Sequence, residues 1–263
     1  MAGRLLWEMA TFTRGRKSLG TLWGGFPSRH HSRARCRGTR QFTETSSRLS
    51  QDDRRDTSGI KLHYPEAPSA QHSSLPSFLE YASRTGLDEK STVYVGTRYE
   101  YQVSRSFSRY GFALRRIGGS SDHGTDLVGT WNLPAASEHA PLRVLVQCKA
   151  GNQRVGPQHV RELEGAFVGA PAGWRGPGVL GILASERVAT RGVRDALRRS
   201  RWPMMYVSCS GDGAVSQMLW NQRAEDIGLE GYSVVVRHDA GSGGELVLLQ
   251  DGKMLPLLEE QEQ

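Results

Sequence analysis

The chain has 263 residues, with 34 Lys and Arg against 27 Asp and Glu, a formal charge of +7 and 37% hydrophobic residues. That is enough apolar material for one domain or two small ones, while its apolar runs, such as Val179 to Ala184, fall far short of the roughly 20 residues that span a bilayer. A transmembrane helix is excluded, and three widely spaced cysteines, Cys36, Cys148 and Cys209, form neither a disulfide framework nor a paired metal motif, which suits a reducing compartment or the mitochondrial matrix.

The positive charge is not spread evenly. Residues 1–50 hold ten basic and two acidic residues, and residues 51–263 hold 24 and 25, so the excess belongs to the first segment. Arg-rich, Ser-containing and poor in acid, residues 1–50 have the composition of an organelle transit peptide. Leu5, Leu6, Trp7, Met9 and Phe12 can form one side of an amphipathic helix. The predicted location is therefore the mitochondrial matrix, with a disordered basic arm that touches nucleic acid as the alternative. Residues 51–75 are polar, carry Pro65 and Pro68 and show no apolar period, which reads as a disordered linker with solvated histidines, His63 and His72 among them.

Order is predicted from residue 76 onward. Ser77 can cap a helix, Phe78 to Arg84, that Gly86 ends. Thr97 opens a stronger helix, in which Tyr99, Val103, Phe107 and Tyr110 recur at spacings of four, four and three. Phe112 to Ile117 reads as a strand, Gly118 to Gly124 as a loop, Thr125 to Trp131 as a short strand and Leu142 to Lys149 as a longer one. Pro157 suits the first turn of a helix bearing Val160, Leu163, Phe167 and Val168. Val179 to Ala184 has the continuous apolar character of a strand buried on both faces. Thr190 to Ser200 is helical, Met204 to Cys209 is a strand, and Gly231 to Arg237 with Glu245 to Gln250 form a terminal hairpin. This order predicts an α/β fold, a mixed β-sheet flanked by helices. The expected division is a core over 76–210, an extension over 211–240, and a hairpin remnant with an acidic tail over 241–263.

Chemistry concentrates on two neighbouring strands. Asp126 stands at the start of one. On the other, Gln147 and Lys149 share a face because strand side chains alternate. Hydrolysis of a phosphodiester by Mg²⁺ or Mn²⁺ needs hard oxygen ligands and a cation that orients or deprotonates water. Asp126 offers a carboxylate, Gln147 an amide oxygen, Cys148 its backbone carbonyl and Lys149 the cation. The same residues are compatible with a structural Asp126–Lys149 ion pair and a Gln147 hydrogen-bonded at a strand end.

The run GGSSDHGTD over 118–126, followed by VLVQCK over 144–149, resembles the catalytic domain of Mrr-type restriction endonucleases, which belong to the PD-(D/E)XK nucleases. STVYVGTRYEY, VRELEGAF, ATRGVRDALRRS and QMLWNQRAEDIGLEG (91–101, 160–167, 189–200 and 217–231) are similar to a narrower group, the fungal mitochondrial proteins required for respiratory growth, which carry a restriction-endonuclease-like domain. The resemblance covers about residues 77–237. It implies a metal-dependent nuclease with Asp126 as the metal-site acid, Gln147 as the second ligand and Lys149 as the catalytic lysine. Gln147 departs from the acid common at its position, which lowers the negative charge of the site. Glu100, on the first strong helix, matches the position of an additional acid in Mrr-like enzymes, and equally completes a Thr97-x-x-Glu100 capping box.

Other residues carry weaker signals. Asp122 shapes the glycine-bearing loop and His123 lies within it. Glu162 and Glu164 are expected to face solvent or form ion pairs. Arg187, Arg191, Arg194, Arg198 and Arg201 recur at spacings of four, three, four and three, a row that suits phosphates, of DNA first with RNA left open, and equally a solvated helix face paired with surface acids. Trp174, Trp202 and Trp220 serve as core or as base-stacking residues. A nuclease-fold protein without activity, binding nucleic acid or a mitochondrial partner, is the competing reading.

Overall fold

The computed structural model describes residue 62 and residues 64–118, 124–133, 141–151, 154–238 and 244–259. The expected transit peptide, His63, Asp122, His123 and the end of the acidic tail lie outside them. The first described helix, α1 (Leu75–Thr85), begins one turn earlier than Ser77 suggests, because Ser74 is its N-cap and Ser77 closes the capping box from N3. Gly86 ends it in the left-handed conformation, with φ 65°.

Helix α2 (Thr92–Ser108) also starts before its predicted residue. Ser91 caps it by accepting from the Tyr94 backbone N–H at 3.1 Å. Thr97 is therefore inside the helix, and the capping box expected between Thr97 and Glu100 does not form. Tyr99, Val103 and Phe107 on this helix, with Tyr110 just beyond its end, are buried as their period requires.

A six-stranded sheet follows, built in sequence order from β1 (Phe112–Arg116), β2 (Leu127–Trp131), β3 (Leu142–Lys149), β4 (Val179–Ser185), β5 (Met204–Cys209) and β6 (Val215–Trp220). β1 to β3 are antiparallel, β3 to β5 parallel, and β5 to β6 antiparallel. The parallel steps need crossovers, supplied by α3 (Pro157–Gly169) and α4 (Arg191–Arg199). This is the expected mixed α/β architecture, with β6 added. Its sequence, VSQMLW, alternates too poorly to declare a strand. A helical turn, α5 (Gln222–Ala224), runs into a π-helical turn at Glu225–Leu229. The terminal hairpin forms as expected from β7 (Tyr232–Arg237) and β8 (Glu245–Gln250), with β9 (Lys253–Met254) added at its edge.

Two apolar cores sit on opposite faces of the six-stranded sheet. Alternate residues of β3 divide between them: Val144 and Val146 pack with the α2 residues, and Leu145 packs with Val160, Leu163, Phe167, Val193 and Leu197 of α3 and α4. Gly129 lets the outer strands approach, since a Cβ there would lie 1.9 Å from the Ala113 carbonyl oxygen. That glycine's own carbonyl accepts from Trp174 Nε1 at 3.0 Å.

The segment before α1 is not the free linker its polarity suggests. Leu62 is buried in the α3-side core, and the Tyr64 ring lies 4.8 Å from that of Trp174, beneath the Arg115 guanidinium at 4.3 Å. Farther along, His72 packs against Phe78, Tyr81 and Tyr101 on the α2 side, its Nδ1 2.8 Å from Tyr101 Oη. The chain thus passes from one face of the sheet to the other beside β1. Two apolar anchors in a polar stretch leave no period to read, so sequence patterning misses them.

Candidate functional site

Asp126 directly precedes β2 and is fixed by backbone hydrogen bonds on both sides. Its carbonyl accepts from both Ile117 and Gly118 N–H at 2.8 Å, a two-against-one pairing that bends the end of β1. Its own N–H donates to the Val146 carbonyl at 2.9 Å, and its Oδ2 accepts from the Cys148 N–H at 2.6 Å. The carboxylate is therefore bound to the main chain of the Gln-Cys-Lys segment, in a charge-assisted bond that fixes its position.

Glu100 approaches from α2. A methyl group built on Gly118 would lie 3.1 Å from Glu100 Oε2 and 3.3 Å from Asp126 Oδ1, so both carboxylates border the space that this glycine leaves open. Arg116, at the end of β1, donates from Nε to Glu100 Oε2 at 2.5 Å. Both side chains are only 13% exposed. The guanidinium also donates to Thr97 Oγ1 at 3.3 Å and lies 5.6 Å from the Tyr101 ring centroid. Sequence reading passes over Arg116, which looks like half of an ordinary Arg115-Arg116 pair at a strand end.

Gln147 is 6% exposed, and its Oε1 has no hydrogen-bond partner among the described residues. The fully buried Thr125 Oγ1, next to Asp126, is likewise unpartnered among them. Buried acceptors of this kind are costly and uncommon. Lys149 shares the strand parity of Leu145 and Gln147, and its Nζ donates to Glu162 Oε2 of α3 at 3.0 Å. The structural alternative, an Asp126–Lys149 ion pair with a satisfied Gln147, is thus not what forms. Glu164 accepts from Ser200 Oγ at 2.6 Å.

Cys148 has the opposite parity. Its thiol pKa is pushed well above the usual value by burial first, then by the Asp126 and Glu100 carboxylates nearby. The structure thus brings the Glu100 and Asp126 carboxylates to one space beside Gly118 and ties Asp126 to the strand that carries Gln147 and Lys149. Lys149 itself is turned to α3. A cleft of about 480 Å³ lined by Glu89, Tyr94, Arg98, Tyr99 and Glu186 holds none of these four residues.

The oxygen donors suit a hard divalent cation. Mg²⁺ is commonly bound through one or two carboxylates, completed by water and substrate phosphate. Glu100 and Asp126 supply two carboxylates beside Gly118, and Gln147 Oε1 is a buried oxygen on the neighbouring strand, on the parity of Leu145. No cluster of three or more His, Cys, Asp or Glu suited to a metal occurs among the described residues.

Of the arginine row, Arg191, Arg194 and Arg198 lie on α4, whereas Arg187 and Arg201 flank it in turns, because the helix spans only Arg191–Arg199. All five are exposed. Arg191 Nε lies 3.9 Å from Asp195 Oδ2. The starts of α3 and α4 adjoin, since a Cβ on Gly192 would meet Pro157 Cγ at 3.0 Å. From Lys149 to Arg201 the chain holds ten basic and four acidic residues, so the near-neutral total of residues 51–263 hides one basic region. Trp174 is fully buried, Trp202 stacks on Phe167 at 4.7 Å and Trp220 packs against the core, so all three are structural.

A family model described as Required for respiratory growth protein 7 matches residues 91–140 and 134–236. An uncharacterised mitochondrial protein of Schizosaccharomyces pombe is 35% identical over 159 residues, covering 59% of this chain and 62% of that protein. Required for respiratory growth protein 7, mitochondrial, of Saccharomyces cerevisiae is 27% identical over 172 residues, 50% of this chain and 71% of its own length. Its counterpart in Vanderwaltozyma polyspora is 33% identical over 119 residues, 30% of this chain and 48% of the relative. The match to the Schizosaccharomyces pombe protein thus spans less than two thirds of that relative. No solved structure matches. No described helix is long and apolar enough to cross a membrane.

Proposed function

The chain belongs to the family of Required for respiratory growth protein 7, and from that premise we propose that it is a mitochondrial, Mg²⁺- or Mn²⁺-dependent nuclease of the restriction-endonuclease-like fold that hydrolyses DNA phosphodiester bonds in support of respiratory growth. The observation that carries this reading is the Glu100–Asp126 carboxylate pair beside Gly118, with Asp126 bonded to the backbone N–H between Gln147 and Lys149. The relatives named mitochondrial support the location, and the matrix is the compartment that holds the DNA.

In this reading Asp126, Glu100, Gln147 Oε1 and the Cys148 carbonyl would hold the cation, which would neutralise charge at the phosphate and lower the pKa of water. Lys149 leaves Glu162 to orient that water or to offset charge on the phosphate. Arg191, Arg194 and Arg198 hold the duplex through its phosphates, which positions it without reading sequence. The test is cleavage or nicking of plasmid DNA by the purified chain with Mg²⁺ or Mn²⁺. Lys149→Ala and Asp126→Ala are expected to abolish cleavage with the fold retained; cleavage that survives both changes removes the site assignment.

One observation favours a second reading. Glu100 is held by Arg116 and Lys149 by Glu162, as in a nuclease fold that binds nucleic acid or a mitochondrial partner without cutting. Calorimetry showing no affinity of the purified chain for Mg²⁺ or Mn²⁺ would select it.

A further inference from the structure

The Arg116–Glu100 pair sits at the candidate metal site and the nuclease reading gives it no role. Its geometry is that of a built position. Arg116 comes from the end of β1, where the bend at Ile117 and Gly118 sets its direction. It is 13% exposed, lies against Tyr101, and is bonded through Nη2 to Thr97. Its Nε meets the same oxygen, Glu100 Oε2, that faces Gly118 across from Asp126 Oδ1. A cation shared by the two carboxylates would have to bind that oxygen or its neighbour on the same carboxylate.

We propose that Arg116 is the internal counter-ion of the metal site: it holds Glu100 beside Asp126 when no divalent cation is bound, and it competes with an incoming cation for the Glu100 carboxylate. Arg116 is then a positioning residue that sets cation affinity. Two partly buried carboxylates bordering one space repel each other, and a guanidinium on one of them offsets that repulsion. The same contact competes with a metal for the carboxylate. With Gln147 in place of an acid, Glu100 and Asp126 are the two formal negative charges of the set, and Arg116 cancels one. The site is thereby tuned to bind the cation weakly until DNA phosphate adds its own charge and ligands.

This inference rests on the metal-dependent reading above, and its test separates the two. Mn²⁺ binding to the purified full chain is measured by titration calorimetry, and the Mn²⁺-induced shift in melting temperature is measured alongside. Arg116→Gln is expected to tighten Mn²⁺ binding by about tenfold, since an opposite charge at this range changes the proton affinity of a carboxylate by roughly one to three log units. The same variant should melt lower without metal and gain more from Mn²⁺ than the wild type does. Glu100→Gln should weaken binding, and Glu100→Gln combined with Arg116→Gln should bind as Glu100→Gln alone, while melting closer to wild type than Arg116→Gln because both partners are gone. The double variant also covers the case in which Arg116→Gln fails to fold: Mn²⁺ binding as weak as that of Glu100→Gln upholds the proposal, and binding as tight as wild type overturns it. Binding in the wild type that Asp126→Asn abolishes but Arg116→Gln leaves unchanged or weakens overturns the role of Arg116 and spares the metal site. No Mn²⁺ binding by the wild type or by Arg116→Gln overturns both.

Discussion

Lys149 Nζ lies 3.0 Å from Glu162 Oε2, joining the last residue of β3 to the outer side of α3. The two side chains are 31% and 48% exposed. The pair is thus a solvent-screened contact of the kind worth about 0–1 kcal/mol, weak enough for Lys149 to exchange partners. Glu162→Gln is expected to cost less than about 1 kcal/mol in urea denaturation and to leave DNA cleavage intact or faster, whereas Lys149→Ala abolishes cleavage. Loss of cleavage in Glu162→Gln equal to that in Lys149→Ala would make the pair itself the functional unit.

Gln147 separates stability from function in the opposite direction. Its buried, unpartnered Oε1 is a cost to the metal-free fold. Gln147→Met keeps the volume and removes the polar group, so the chain should gain roughly 1 kcal/mol in chemical denaturation while losing Mn²⁺ affinity. A Gln147→Met protein less stable than wild type would mean that the amide makes a bond essential to the fold.

Trp174 is the member of the α3-side core whose loss should be felt most. It is fully buried, bonds the Gly129 carbonyl and receives Tyr64. Trp174→Ala should cost about 3–5 kcal/mol from the cavity and leave the Gly129 carbonyl without its indole partner. Equilibrium unfolding in urea measures this, and a cost under about 1 kcal/mol would show that the surrounding chain collapses into the gap.

His72 gives the fold a pH dependence of known sign. Burial first, and the Arg116 charge second, hold its pKa below the ordinary 6.5. The unfolded chain then binds the proton more readily than the folded one. Its contribution is complete above pH 6.5 and is lost as the pH falls through the lowered folded value. Comparing the wild type with His72→Gln at about pH 7.5 and pH 5.5, the stability difference between the two proteins should shrink at the lower pH. A difference that is equal at both values would remove His72 as its source.

The arginines of α4 should act through charge alone. Replacing Arg191, Arg194 and Arg198 by Ala is expected to weaken DNA binding on every sequence alike. The slope of log affinity against log salt should flatten by about 0.9 for each phosphate that is no longer neutralised. An unchanged slope would place the DNA elsewhere.

Much of the sheet is legible in the sequence because its strands are simple. Leu142–Lys149 and Met204–Cys209 are predicted to the residue, and Pro157 marks the first residue of α3. The predicted α2 is too short because Thr97, with Glu100 three residues on, imitates a helix start, although Val95 continues the apolar period four residues before Tyr99. Asp126, Gln147 and Lys149 can be named from order and residue type. Their contacts cannot, because Arg116, Gly118 and Glu162 join them only through the tertiary fold. The surface charge is legible in part: the total over residues 51–263 is close to zero, while the stretch from Lys149 to Arg201 carries ten basic and four acidic residues.

The segment ahead of α1 has a consequence for how β1 opens. Tyr64 is held on one face of the sheet and His72 on the other. When either anchor lets go, the other keeps it tethered at high local concentration, so recapture is an intramolecular event. Arg115 and Arg116, adjacent on the strand, each meet one end of this tether, Arg115 at Tyr64 and Arg116 through Tyr101 to His72. Release of His72 is therefore expected to loosen Tyr101, the ring against which Arg116 lies as it holds Glu100.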